Sequence, residues 1–364
     1  MNACQSILKE KNCLLTACYL TMPDIFITFD YELFFGSRTG TAEKCLLDPT
    51  DKLIQLAKKH QAKFTFFVDV LYLMKLKANS TVPCLKTDFE NIRAQLQELI
   101  NQGHDVQLHL HTHWIDAYYN GEWKLDYSKY RIHNFSVEEI DRIVYSAINL
   151  LEGITRRKVF AFRAGGWCLQ PFDQLRQAFL KNGIWLDSTV FYKGHNQSPT
   201  HSYDFRKAPD LDMWNFNHDP LQIETGGVFT ELPISSYAVS PLFFWRLILI
   251  KTMFRHKYLV AGDGRALSKS KTELLRMVLI PTYSVVSCDG YKSSMLESAF
   301  NNALSASKNN FVVIGHPKAM SAYSFNKLED FLSKSTKEGH RFSSIYEVFG
   351  APDNSVQTQG RFIN

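Results

Sequence analysis

Short apolar runs alternate with stretches of helical period along most of the chain. Ile25-Phe26-Ile27-Thr28-Phe29 is the first such run and predicts a strand over 24–30. Asp48-Pro49 opens a helix over 49–60, because proline suits a first helical turn, and 63–69 reads as the second strand. Ile92, Leu96, Leu99 and Ile100 recur at helical spacing, so a helix is expected over 87–102, stopped by Gly103. A strand over 105–110 follows. Ser136-Val137-Glu138-Glu139 has the form of a capping box and starts a helix over 136–152 that closes at Gly153. Strand 158–163, helix 171–182 and strand 184–189 continue the alternation. Between 195 and 287 the pattern loosens, with one strand at 228–233, and reads as an insertion covering the mouth of the fold. Helix 290–307, strand 311–315, helix 324–337 and strand 341–348 complete the chain. Strands alternating with helices predict a parallel sheet, as a barrel or doubly wound.

Chemistry gathers where these strands end. In parallel α/β folds the carboxyl ends of strands converge on one face, where ligands and metals sit. Alternate residues of a strand share a face, so Thr28, Asp30 and Glu32 point one way and Phe29 and Tyr31 the other. The same period aligns His109, His111 and His113, although a turn after Leu110 would set His111 apart. One carboxylate and two imidazoles suit zinc, cobalt, nickel or iron(II), whereas magnesium and calcium want more oxygen ligands. An acid at a strand end is commonly a helix cap or an ion-pair partner. Three alternating histidines behind an apolar strand are harder to explain so, because a buried unpaired imidazole is costly. His109 and His113 are therefore read as metal ligands, with His111 behind them or touching substrate. Trp114, Trp123, Trp167 and Trp214 could stack on sugar rings or serve as ordinary packing.

These residues, with three later segments, resemble the polysaccharide deacetylases of the NodB-homology type, carbohydrate esterase family four. Gly103-His104-Asp105-Val106 leading to His109 and His113 fits the family's His-x-x-x-His motif. Thr28-Phe29-Asp30 matches its Thr-Phe-Asp-Asp motif except that Tyr31 replaces the second Asp and Glu32 is the next acid. Phe162-Arg163-Ala164-Gly165-Gly166-Trp167 looks like its arginine motif, Asp187 matches the fourth motif loosely, and Val313-Ile314-Gly315-His316 is similar to its closing strand. The resemblance implies a distorted (β/α)7–8 barrel and a metal-dependent hydrolase removing N-acetyl groups from an amino sugar or polysaccharide. It implies one divalent ion, zinc first and cobalt, nickel or iron(II) as alternatives, on Glu32, His109 and His113. It further implies Asp30 as base, Arg163 holding Asp30 as its anion, His316 as acid, and Asp187 as a group that orients a histidine or only bonds Ser188. His111, Trp114 and Trp167 fall to the substrate. Other activities consistent with the fold are hydrolysis of a small ureide or cyclic amide, or glycan binding without turnover, which the departure at Tyr31-Glu32 admits.

Composition narrows the picture without changing it. The 364 residues, 45% of them hydrophobic, can bury a large core as one barrel domain over 23–350. A net charge of +5 is too diffuse for a nucleic-acid partner, and no RNA-binding motif is present. Seven cysteines with no Cys-x-x-Cys pair suggest free thiols in a reducing compartment, hence the cytoplasm. The first 22 residues read as a disordered extension: Leu14-Leu15-Thr16-Ala17-Cys18 mimics a lipoprotein box, but its apolar run is too short for a signal peptide. Residues 351–364 form a tail. The run 241–257 is strongly apolar yet interrupted by Arg246 and Lys251, too short to span a bilayer but suited to peripheral contact with a membrane's inner face.

Overall fold

The computed structural model describes residues 22–350 apart from 199, 254 and 267–270. The expected extension before residue 22 and the tail after 350 lie outside the described residues. Eight strands form one sheet: β1 (Asp24–Tyr31), β2 (Phe64–Asp69), β3 (Asp105–Leu110), β4 (Ala161–Ala164), β5 (Leu186–Asp187), β6 (Trp214–Phe216), β7 (Phe229–Glu231) and β8 (Asn310–Gly315). Their order is β6-β7-β5-β4-β3-β2-β1-β8, parallel throughout except the β6–β7 pair. Strands β2 and β3 are buried along their whole length, as a parallel sheet covered on both faces requires.

The sheet curls until its two sides meet through irregular chain. Leu232 N–H donates to Asp187 O at 2.8 Å and Ile234 N–H to Val190 O at 2.9 Å. Ser235 N–H then donates to Val312 O at 3.0 Å. Residues 286–288 run beside β8, with Ile314 N–H on Val286 O at 3.0 Å and Cys288 N–H on Ile314 O at 2.9 Å. The result is a distorted (β/α) barrel, as expected, in which 195–287 is more than a cover because it supplies β6 and β7.

Helices α1 (Asp48–His60), α2 (Val70–Ala78), α3 (Pro83–Asn101), α4 (Val137–Thr155), α5 (Asp173–Asn182), α6 (Pro241–Met253), α7 (Lys271–Leu279), α8 (Leu296–Ser305), α9 (Ala322–Lys337) and α10 (Ile345–Phe349) surround the sheet or extend from it. The capping box at α4 forms as read: Ser136 Oγ accepts from Glu139 N–H at 3.3 Å and Glu139 Oε2 from Ser136 N–H at 2.8 Å. That helix runs through Gly153 and ends at Arg156, which takes the left-handed φ of 55°. Helix α2 was not expected, because its uninterrupted apolar face hides the helical period.

The expected strand over 341–348 does not form. Phe342 makes a single bridge with Ile25, and the chain then turns into α10. Ser344 Oγ accepts from Glu347 N–H at 3.2 Å. Thr65 Oγ1 and Asp105 Oδ2 take the Ile345 and Tyr346 N–H groups at 2.9 and 3.0 Å. Acceptors for a helix N-terminus thus outweigh the strand-like composition.

Candidate metal centre

Five strands of the barrel deliver polar side chains to one end. Asp30 lies at the tip of β1 with Glu32 just beyond, Asp69 ends β2, His109 lies in β3 with His111 just past it, Arg163 lies in β4, and His316 and Lys318 follow β8. Asp30, Glu32, Asp69, His109, His111, Arg163 and Lys318 are all at most 5% exposed. Strand alternation holds at β1: Tyr31 points away from this cluster and donates its hydroxyl to Gln95 Oε1 at 2.9 Å.

Among the described residues, Glu32, His109 and His111 form the group whose ligand atoms lie within 4.8 Å of one another. Glu32 Oε2 is 3.0 Å from His109 Nε2 and 2.5 Å from His111 Nε2. His109 Nδ1 donates to Arg163 O at 2.7 Å, which leaves Nε2 to face the carboxylate. A backbone carbonyl behind one ring nitrogen commonly fixes the tautomer of a metal-binding histidine. His111, not His113, therefore completes the cluster. Its backbone stays extended (φ −118°, ψ 98°), so the strand period reaches it, and the 3-10 turn Thr112–Trp114 then rotates His113 away.

His113 packs instead in an aromatic box, 5.5 Å from Tyr130 and 4.8 Å from Phe35 between ring centres. Both of its nitrogens, together with His111 Nδ1 and Asp69 Oδ2, are buried with no hydrogen-bond partner. Burial holds the His113 imidazole well below its ordinary pKa and lowers His111 to about 4, so both rings are neutral near pH 7. Burial would depress His109 too, but the Asp30 and Glu32 carboxylates outweigh it and raise that imidazole to about 9. Burial opposes ionisation of Glu32, yet the Lys318 ammonium and His111 hold its carboxyl well below the usual range.

The donor set fits a divalent cation. A neutral imidazole, a second whose Nε2 converges on the same point and would give up its proton to a cation, and an ionised carboxylate make a His2Glu set of the kind zinc takes with a position left open.

Asp30 lies beside this cluster. Arg163 Nη1 donates to Asp30 Oδ1 at 2.8 Å and to Thr28 Oγ1 at 2.9 Å. Its Nε and Nη2 bond Ser188 O and Oγ at 2.7 and 3.1 Å, and its guanidinium lies 4.2 Å over the Phe67 ring. His316 Nε2 is 3.8 Å from Asp30 Oδ2 and 3.6 Å from Glu32 Oε1, while Nδ1 is 2.7 Å from Asp289 Oδ2. Burial works against the imidazolium, but Asp289 outweighs it and raises the His316 pKa. The side chain remains 23% exposed, within reach of an incoming molecule.

Two expected roles do not follow from the geometry. Asp187 reaches no histidine: it accepts from Thr189 N–H and Oγ1 at 3.0 and 2.8 Å and is aligned with Glu231 across β5 and β7. Burial raises both carboxyls, and the neighbouring Asp187 charge adds to the rise at Glu231. Trp114 is fully buried between Tyr72 and Trp123 and has no face to offer a sugar. Trp167 is half-buried beside Phe191 and Tyr203, at a left-handed φ of 58°.

Four contributors escaped the sequence reading. Lys318 Nζ donates to Glu32 Oε1 at 2.9 Å and lies 4.2 Å over the Phe35 ring. A lysine after His-Pro reads as solvent-exposed, so nothing marked it. Asp289 lies on irregular chain with no strand period to point it inward. Asp69 ends an apolar strand just as Asp30 does, and that signal was available. Gly165 leaves room for the centre: a Cβ there would stand 2.4 Å from Leu110 O and 2.8 Å from His111 Nδ1. Gly165→Ala is expected to displace His111 and weaken the affinity of the candidate centre for an added divalent ion by about 10–100-fold, the range typical of groups supporting a ligand. Competition with a chromophoric chelator measures this, and unchanged affinity would show that the His111 position does not depend on Gly165.

No protein-family model matches the chain, and no curated protein matches it significantly. Similar solved structures include a putative polysaccharide deacetylase from Mycobacterium smegmatis, at 13% identity over 83% of this chain and 76% of that one, with a TM-score of 0.43. A polysaccharide deacetylase from Bacillus cereus aligns at 13% identity over 90% and 94%, with a TM-score of 0.40. Puue allantoinase aligns at 10% identity over 91% and 90%, with a TM-score of 0.48. At such values the chemistry must be argued from this chain's own residues.

Proposed function

We propose that this chain is a metal-dependent hydrolase that removes acyl groups, N-acetyl foremost, from an amino sugar or its polymer. The observation that carries the proposal is the convergence of Glu32, His109 and His111 beside the Asp30–Arg163 pair and the His316–Asp289 pair. A divalent ion on the three ligands, zinc by the donor set, would supply a Lewis acid that polarises an amide carbonyl and acidifies water near neutral pH. Asp30, bonded through Oδ1 by Arg163, would take the proton of the attacking water on Oδ2. His316, held by Asp289 and raised in pKa by it, would give a proton to the departing amine. Lys318 occupies Glu32 Oε1 and leaves Oε2 as the ligand atom. The sugar rests on the resemblance of the motifs, and half-buried Trp167 is the aromatic wall we assign to it.

Zinc content after dialysis tests the ligand set. Wild type is expected to hold about one ion per chain, and Glu32→Gln, His109→Ala and His111→Ala to lose it, whereas His113→Ala keeps it. Retention in His111→Ala with loss in His113→Ala would overturn the assignment. The metal must also displace the His109 proton, held to a pKa of about 9. Affinity should therefore rise about tenfold per pH unit up to that pKa and level off above it, because each ion bound releases one proton. Acetate release from chitooligosaccharides by the zinc-loaded protein tests the reaction itself.

A further inference from the structure

Helix α6 is apolar around its circumference but packs on one side only. Phe244 is buried, and Phe243 and Leu247 lie against the core. Leu242 is 76% exposed, Trp245 55%, Leu249 59% and Met253 65%. Helix α7 continues the surface with Leu275 and Leu279, 57% and 63% exposed, and Trp245 Nε1 donates to Val278 O at 3.0 Å, tying the helices together. An apolar patch built from two helices is unusual for a water-exposed surface and signals a partner.

Charge identifies the partner. Over 241–283 the sequence has eight Lys and Arg against Asp263 and Glu273, while the remaining residues have 33 basic and 34 acidic. The chain's whole positive excess lies on the segment that exposes the apolar surface. Arg246 and Arg276 are both exposed there, and Asp263 is occupied by Thr41 N–H at 2.8 Å and Arg38 at 3.3 Å. Exposed leucines and a tryptophan with cationic neighbours suit the headgroup boundary of an anionic bilayer, where apolar burial and electrostatic attraction add. No helix among the described residues is long and apolar enough to cross a membrane.

The unit is also rooted next to the metal centre. Ala261 N–H donates to Met320 O at 2.7 Å and Gly262 N–H to Lys318 O at 2.9 Å. A Cβ on Gly262 would lie 2.6 Å from the Phe34 ring. The loop between the helices thus backs the residue that holds Glu32.

We propose that α6 and α7 form a docking surface for the face of an anionic lipid bilayer, entered from one side without spanning. The inference stands independently of the hydrolase reading, since its readout is lipid binding alone. The full chain is expected to float with vesicles of phosphatidylglycerol in phosphatidylcholine, and less with phosphatidylcholine alone or in high salt. Leu242→Glu with Leu249→Glu should lower the floated fraction at least about tenfold, because two buried side chains become charged at the boundary. Arg246→Glu with Arg276→Glu should lower flotation selectively on the anionic vesicles, and this pair decides the matter if the leucine variant misfolds by circular dichroism. Absence of flotation by the wild type, or flotation indifferent to both variants, would overturn the proposal. So would a dimer in light scattering that the leucine variant dissolves, because the patch would then face a second copy of this chain.

Discussion

Asp30→Asn is expected to abolish turnover while leaving the metal in place. An amide at this position can still accept the Arg163 Nη1 hydrogen bond through its oxygen, so the packing of β1 against β4 is retained. What disappears is the anionic oxygen that faces His316 Nε2 at 3.8 Å. Loss of a positioned base typically costs about 10²–10⁴ in rate. The measurement is kcat for acetate release beside zinc content and an unfolding curve. Full activity would remove Asp30 from the proton path, and loss of zinc would make it a ligand. Only inactivity with normal metal content supports the assigned role.

Arg163→Met should have the largest effect on stability. The guanidinium is 1% exposed, and its removal strips the partner from Asp30 Oδ1 and from Ser188 O and Oγ. Breaking a buried ion pair from one side destabilises by about 3–5 kcal/mol, because the surviving charge stays buried without compensation. Urea denaturation reads this directly. Adding Asp30→Asn to Arg163→Met removes the stranded charge and should return part of the loss. A double-mutant cycle with coupling below about 0.5 kcal/mol would mean that the two residues stabilise the barrel independently. The same arginine thus joins fold and chemistry: it links β1, β4 and the chain after β5 at the level where the base is held.

Local signals in the sequence were reliable where a local force decides the outcome. Apolar runs marked β1, β2, β3 and β8 because strands buried on both faces need little else. The Ser136–Glu139 box marked the start of α4 because the hydrogen bonds that make it lie within four residues. They were unreliable where distant chain competes. The strand expected over 341–348 became α10 because Thr65 and Asp105, far away in sequence, accept its N-terminal amides. Asp187 accepts from Thr189 and lies level with Glu231 instead of meeting a histidine, since β5 pairs with β7.

The candidate metal centre divides along the same line. That an acid from the first strand would meet imidazoles from the third was legible, because residue period and the convergence of parallel strand ends are local and topological rules. His109 was legible too, but which second imidazole joins it was not. The choice of His111 over His113 follows from where the extended backbone gives way to a 3-10 turn and from the Cβ-free space at Gly165. Lys318 and Asp289 came into the site only through chain closure beside β8, across 286 residues for the Lys318–Glu32 bond. Type and periodicity of residues carry the kind of chemistry; the atoms that perform it are selected by how far the sheet curls before its sides join, which no short stretch of chain encodes.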